Sequence, residues 1–141
     1  MELQVHLRTM DEKVKMGITS RENPELVIDY FPPFGEGAGY TSMELLVASL
    51  VSCLSTSIIT LVRGKMNKTI SSLKATAKGT MRNQHPKILT QIQINLIIES
   101  PDVEDAEIQK AITASEEKIC PVWAILKGNT EVKVSYTIQR P

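Results

Sequence analysis

The sequence predicts an α+β fold, and three features carry the prediction. A largely apolar stretch of helix length, uncharged but for Glu44, runs from Thr41 to Val62. Runs of strict apolar/polar alternation lie on both sides of it. A later stretch, Ile108 to Ile119, repeats apolar residues at helical spacing before a last alternating run. The predicted order is three strands, a buried helix, two long strands, a helix with a kinked continuation, and one strand. With 141 residues, no internal repeat and no low-complexity segment, a single domain over 1–141 is expected.

Leu3, Val5 and Leu7 alternate with polar neighbours, and after a turn at Met10 to Glu12 so do Val14, Met16 and Ile18, which reads as a hairpin. Leu26, Ile28 and Tyr30 give a third short strand after Asn23-Pro24. The segment F-P-P-F-G-E-G-A-G-Y then leads into the helix. Its glycines lack the Gly-Lys-Ser/Thr ending of a phosphate-binding loop, so a mobile connection over the helix N-terminus is expected.

The helix start is marked by T-S-M-E, a capping box in which Thr41 caps and Glu44 reaches back to the cap amide, with Tyr40 and Leu45 placed to staple across it. Gly64 after Arg63 marks its end. At 100° per residue Leu46, Ser49, Leu50, Thr56, Ser57 and Thr60 fall near Cys53, while Ala48, Val51, Ile58 and Val62 fall opposite. Neither face is charged, so the helix is expected to be buried all round. Leu45 to Val62 would also suit a membrane span by length. Six of those eighteen residues are Ser or Thr, no aromatic belt flanks the run, and the remaining strands need a core to cover, all of which favour a soluble core helix.

Leu73, Ala75, Ala77, Gly79 and Met81 alternate with polar residues, giving a long strand with one dry face. The turn N-Q-H-P then leads to a second long antiparallel strand through Ile88, Ile92, Ile94, Leu96 and Ile98. Ser100-Pro101 is expected to open the second helix, with Asp102, Glu104 and Asp105 near its positive end. Ile108, Ala111, Ile112, Ser115 and Ile119 form its single apolar stripe. Pro121 forces a bend at Cys120 and a short restart, which Gly128-Asn129 ends before the last strand through Val132, Val134, Tyr136 and Ile138.

Sixteen acidic and sixteen basic residues balance to zero, and no basic run is interleaved with aromatics, so nucleic acid and anionic membrane are poor partners. The N-terminus alternates like a strand and lacks signal-peptide zones, which implies a cytoplasmic protein. Two His and two Cys in no ligand-like spacing make a metal site improbable, and His6 and His85 read as surface residues. Cysteines 67 positions apart in a reducing compartment are thiols or a working redox pair rather than a structural staple. Cys53, mid-helix among Leu46, Leu50 and Leu54, reads as a small hydrophobe that resists ionisation unless a cation is near. Cys120, preceding a Pro at a helix start, sits where the peptide dipole favours thiolate, the alternative being a simple turn residue.

The stretch Gly39-Tyr40-Thr41-Ser42-Met43-Glu44-Leu45-Leu46-Val47-Ala48-Ser49-Leu50-Val51-Ser52-Cys53, with Ile119-Cys120-Pro121-Val122 much later, resembles the OsmC/Ohr family of thiol-dependent hydroperoxide reductases. The resemblance is to its divergent OsmC-like branch. It implies an antiparallel sheet wrapped around two central helices, an intertwined homodimer, and active sites at the subunit interface. It also implies that Cys53 attacks an organic hydroperoxide, that the sulfenic acid condenses with Cys120, and that a dithiol of the lipoyl type reduces the disulfide, with no cofactor required.

One part of the family pattern is displaced. The Glu expected ten residues before the helix cysteine is replaced by Met43, and Glu44, nine residues before, points opposite to Cys53 on a straight helix, so a capping role for Glu44 is preferred to a catalytic one. For the activating Arg, Arg21 and Arg8 are the candidates, with Arg21 favoured. The alternatives to a peroxidase are a thiol protein acting on another sulfur electrophile, such as a persulfide or mixed disulfide, and a non-catalytic dimeric protein whose cleft holds a small apolar ligand.

Overall fold

A computed structural model describes all residues, Met1 to Pro141, and the chain falls into two compact units, Met1–Leu46 and Val47–Pro141.

The first unit is a three-stranded antiparallel sheet in the order β1-β2-β3, with β1 at His6–Thr9, β2 at Met16–Thr19 and β3 at Leu26–Ile28. The hairpin register pairs His6 with Thr19 and Thr9 with Met16. Asp11 makes the turn, its Oδ1 accepting the amides of Lys13 at 2.9 Å and Lys15 at 3.1 Å. Strand β1 starts later than the alternation suggests: Leu3 and Val5 precede it, and Leu3, Val5 and Leu7 are all exposed. Alternation marks side-chain facing, but pairing needs a partner strand, and β2 ends opposite His6.

The loop after β3 is not a mobile connection. Asp29, 2% exposed, accepts the amides of Tyr30 on Oδ1 at 2.8 Å and of Glu36 and Ala38 on Oδ2 at 3.2 and 3.0 Å. The loop returns beside β3, where Asp29 N–H donates to the Tyr40 carbonyl and Tyr40 N–H to that of Val27. Gly35 is required there, since a Cβ would lie 2.3 Å from Asp29 Oδ1 and from the Tyr30 carbonyl oxygen. Tyr30, expected inside the third strand, lies past its end and is exposed, its ring tilted at 53° to that of Phe31 with centroids 5.5 Å apart.

Helix α1 spans Ser42–Thr60 and continues through a π-helical turn, Leu61–Lys65. Its capping box forms as expected: Thr41 N–H donates to Glu44 Oε1 at 2.8 Å and Glu44 N–H to Thr41 Oγ1 at 3.2 Å. Gly64 does not end it. The left-handed residue is Asn67, at φ 54°, and the Met66 and Lys68 amides close on the Leu61 and Val62 carbonyls.

The second unit is built on a sheet in the order β4-β5-β6, with β4 at Ser72–Met81, β5 at Leu89–Glu99 and β6 at Glu131–Gln139. β4 pairs antiparallel with β5 as expected, but β6 runs parallel to β5, so this sheet is mixed rather than antiparallel. The helical crossover between β5 and β6 carries the chain back to the end where β5 began, which a hairpin would not do. Register puts Leu73, Ile98 and Ile138 in one row and Ala77, Ile94 and Val134 in another. In β5 Leu89, Ile92, Ile94, Leu96 and Ile98 are buried, each contributing about 1.5–3 kcal/mol. The dry face expected on β4 is only partly covered: Leu73 and Ala77 are half-buried, whereas Ala75, Gly79 and Met81 are exposed, because β4 is an edge strand.

Within this unit α1 buries Leu50, Leu54, Ser57 and Ile58, but Ser52, Thr56 and Thr60 line an exposed stripe together with Ala48, so the helix is not buried all round in one chain. The stripe tolerates water because its hydroxyls are satisfied locally, Thr56 Oγ1 donating to the Ser52 carbonyl at 2.8 Å and Thr60 Oγ1 to that of Thr56 at 2.9 Å. By length and composition alone this helix could cross a membrane.

Candidate functional site

Helix α2 spans Asp105–Ala114 and gives way to a second π-helical turn, Ser115–Ile119, followed by α3 at Pro121–Leu126. The start differs from expectation. Ser100 forms a turn of its own, its Oγ accepting the Asp102 and Val103 amides, and the helix begins only after Glu104, whose N–H donates to Glu107 Oε1 at 3.0 Å.

The π turn sets the position of Cys120. An α-helical continuation would keep Ile119 on the stripe of Ile108, Ala111 and Ser115. Here Cys120 N–H reaches back five residues to the Ser115 carbonyl at 2.8 Å, adding a residue to the turn. Ile119 is consequently exposed and Cys120 is buried, 2% exposed. Pro121 then occupies the first position of α3, where it needs no N–H partner. Cys120 is the N-cap of α3, its Sγ accepting the Trp123 amide at 3.5 Å. Sequence reasoning missed that use of the sulfur, although Cys-Pro before a short apolar run is its signal.

Cys53 lies half-buried on α1, its side chain close enough to Cys120 to act on that thiol; both cysteines are free. Two thiols separated by 67 residues in the chain are thus neighbours in the fold. The Cys120 thiol is pushed up to about 11, first by burial and then by the adjoining Cys53 side chain; the Trp123 and Val122 amides pull the other way and lose. The thiolate expected from the helix-start position is therefore not favoured. Burial costs the charge more than two backbone amides of a six-residue helix return.

Glu44 is held in the capping box, and the Thr41 amide keeps its carboxyl below the usual range. Arg21 sits in the turn between β2 and β3 in a left-handed conformation, φ 56°. Arg8 is paired with Glu25 through two bonds of 2.8 Å, Nε to Oε2 and Nη2 to Oε1. His6 and His85 are on the surface, as expected. What the second unit offers chemically is a pair of neighbouring free thiols, on a half-buried Cys53 and on a buried, protonated Cys120.

The chain is 24% identical over 97 residues to Protein YhfA of Escherichia coli, covering 68% of this chain and 71% of that protein. It superposes on the crystal structure of a hypothetical protein from Aquifex aeolicus with a TM-score of 0.85 and 27% identity, over 100% of this chain and 98% of the other. The organic hydroperoxide resistance protein OhrB of Bacillus subtilis shares the fold, with a TM-score of 0.65 and 19% identity over 97% of this chain and 98% of that one. The family described as OsmC-like protein matches residues 35–135, a span that takes in both cysteines and the helices that carry them, and this chain belongs to that family.

Proposed function

We propose that this protein is a thiol-dependent peroxidase that reduces organic hydroperoxides, with Cys53 as the peroxidatic and Cys120 as the resolving cysteine. The observation that carries the reading is that two free cysteines are neighbours, Cys53 half-buried and Cys120 buried, with the Cys120 thiol held protonated. A protonated Cys120 is a poor first nucleophile, which leaves the attack on the peroxide to Cys53. The Cys53 thiolate attacks the outer peroxide oxygen and the O–O bond breaks, leaving a sulfenic acid and expelling an alkoxide that takes a proton from water to become the alcohol. Cys120 then displaces hydroxide from that sulfur, which departs as water and leaves a disulfide. A dithiol of the lipoyl type returns both thiols to the reduced state. No metal or nucleotide enters either step.

Arg21 is our candidate for the cation that supports the Cys53 thiolate, because Arg8 is committed to Glu25. Glu44 we read as a helix cap first, since its carboxylate is occupied by the Thr41 amide. A role for it beside the reacting thiol is the lesser reading. The working unit is proposed to be a cytoplasmic homodimer of single OsmC-like domains, in which a second copy covers the exposed stripe of Ala48, Ser52, Thr56 and Thr60. The decisive experiment is stopped-flow oxidation of the reduced protein by cumene hydroperoxide and by hydrogen peroxide, read by thiol titration. Loss of two thiols per chain, faster with cumene hydroperoxide, is expected. Thiols that survive both peroxides would refute the proposal.

A further inference from the structure

The two sulfurs do not offer the same access to a molecule arriving from solvent. Cys120 is 2% exposed and is enclosed by its own backbone: its amide is tied to the Ser115 carbonyl, its carbonyl to the Ala124 amide, and its sulfur to the Trp123 amide. The Trp123 side chain that follows is itself buried. Cys53 has no such enclosure and lies half-buried on a helix whose next residues outward, Ser52 and Thr56, are exposed. The two cysteines are neighbours, and a disulfide between them would keep Cys120 as the enclosed sulfur and Cys53 as the accessible one.

We infer that an external thiol reduces the Cys53–Cys120 disulfide by attacking the Cys53 sulfur, with Cys120 as the leaving sulfur. This rests on the reading of the pair as a dithiol/disulfide couple, and it adds which sulfur meets the reductant. The reductant's thiolate forms a bond to Cys53 Sγ as the protein S–S bond breaks, and the electron pair leaves on Cys120 Sγ. Burial makes Cys120 the poorer leaving sulfur, an effect that the Trp123 amide, 3.5 Å from it in the reduced protein, offsets in part, so access rather than leaving ability selects Cys53 as the sulfur attacked. A second thiol on the same reductant then attacks the reductant's own sulfur in the mixed disulfide. The reductant becomes a cyclic disulfide, and Cys53 departs as thiolate. Two electrons pass from reductant to protein.

The burial that hides Cys120 also keeps it protonated once released, so it returns only slowly to attack the mixed disulfide on Cys53. The adduct with a monothiol should therefore persist long enough to be isolated, while a dithiol passes through it quickly.

The test oxidises the wild-type protein with diamide, which forms the disulfide whether or not the protein reduces peroxides. The disulfide form is then mixed with glutathione, quenched in acid at intervals and mapped by mass spectrometry. Glutathione on Cys53 in about tenfold or greater excess over Cys120 at the earliest times is the expected result. Equal labelling, or labelling chiefly on Cys120, overturns the inference. So does failure of diamide to join the two cysteines. A parallel arm with cumene hydroperoxide judges the peroxidase reading separately: a disulfide formed by diamide and not by the hydroperoxide would refute that reading and leave the choice of sulfur to the glutathione map.

Discussion

Closure of the disulfide should be steeply pH-dependent over an unusually wide range, because the resolving thiol must ionise before it can attack. Burial and the neighbouring thiol hold Cys120 at about 11, against an ordinary value of 9.0. At pH 7 the thiolate fraction is then about one in ten thousand, where an unperturbed cysteine would show about one in a hundred. A raised value keeps the neutral, unreactive form, so the rate rises as pH rises, by about tenfold per unit up to the region of 10 to 11. Burial is the larger of the two causes and does not come from the Cys53 thiol, so the steep region should survive in the oxidised intermediate. Trp123, the only tryptophan in the chain, has its amide on the Cys120 sulfur and supplies a reporter. The protein is oxidised with one equivalent of hydroperoxide at a series of pH values. Closure is followed by tryptophan fluorescence and, independently, by loss of dimedone-reactive sulfenic acid. A closure rate that levels off below about pH 9 would refute the burial argument and show that another group takes the Cys120 proton.

Cys120→Ser should still consume one equivalent of hydroperoxide and leave a dimedone-trappable sulfenic acid on Cys53, while Cys53→Ser should consume almost none; the opposite pattern would reverse the roles. Thr41→Ala should lower stability by about 1 kcal/mol in urea unfolding through loss of the cap. Glu44→Gln, which keeps the reciprocal bond, should leave both the melting temperature and the peroxidase rate close to wild type; a hundredfold loss of rate without unfolding would make the carboxylate catalytic. Asp29 and Glu44 are both held below their ordinary values of 3.8 and 4.5, chiefly by the backbone amides of Ala38 and Thr41 respectively. The stability they contribute is fully present above those values and is lost as pH falls below them. Asp29→Asn should therefore flatten the decline of the urea midpoint with acid and speed amide exchange at Glu36 and Ala38. Light scattering at micromolar concentration should show a dimer, and a stable folded monomer would refute the proposed covering of the α1 stripe.

Much of the fold was legible because it rests on local rules. The capping box T-S-M-E forms as written, since Thr41 and Glu44 lie within one turn and need no distant partner. The alternation of Ile92, Ile94, Leu96 and Ile98 maps directly onto burial because β5 is the central strand and only one of its faces meets the core. Pro121 at a helix start and the bend at Cys120 follow from the missing N–H of proline. The same rules overreach where an element lies at an edge. Alternation in β4 promised a dry face that an edge strand cannot fully bury, and Gly64 looked like a helix stop although Asn67 carries the left-handed turn.

The sequence by itself determined the α+β order, the cap of α1 and the pair of cysteines worth watching, all of which depend on residues within a turn or a strand of one another. Only the tertiary structure decided that the π turn rotates Ile119 out and Cys120 in, that the two cysteines are neighbours, and that Cys120 is therefore protonated rather than ionised. Local electrostatics at a helix start favoured the thiolate, but desolvation depends on what packs around the sulfur in the folded chain, where Cys53, 67 residues earlier, is one of its neighbours.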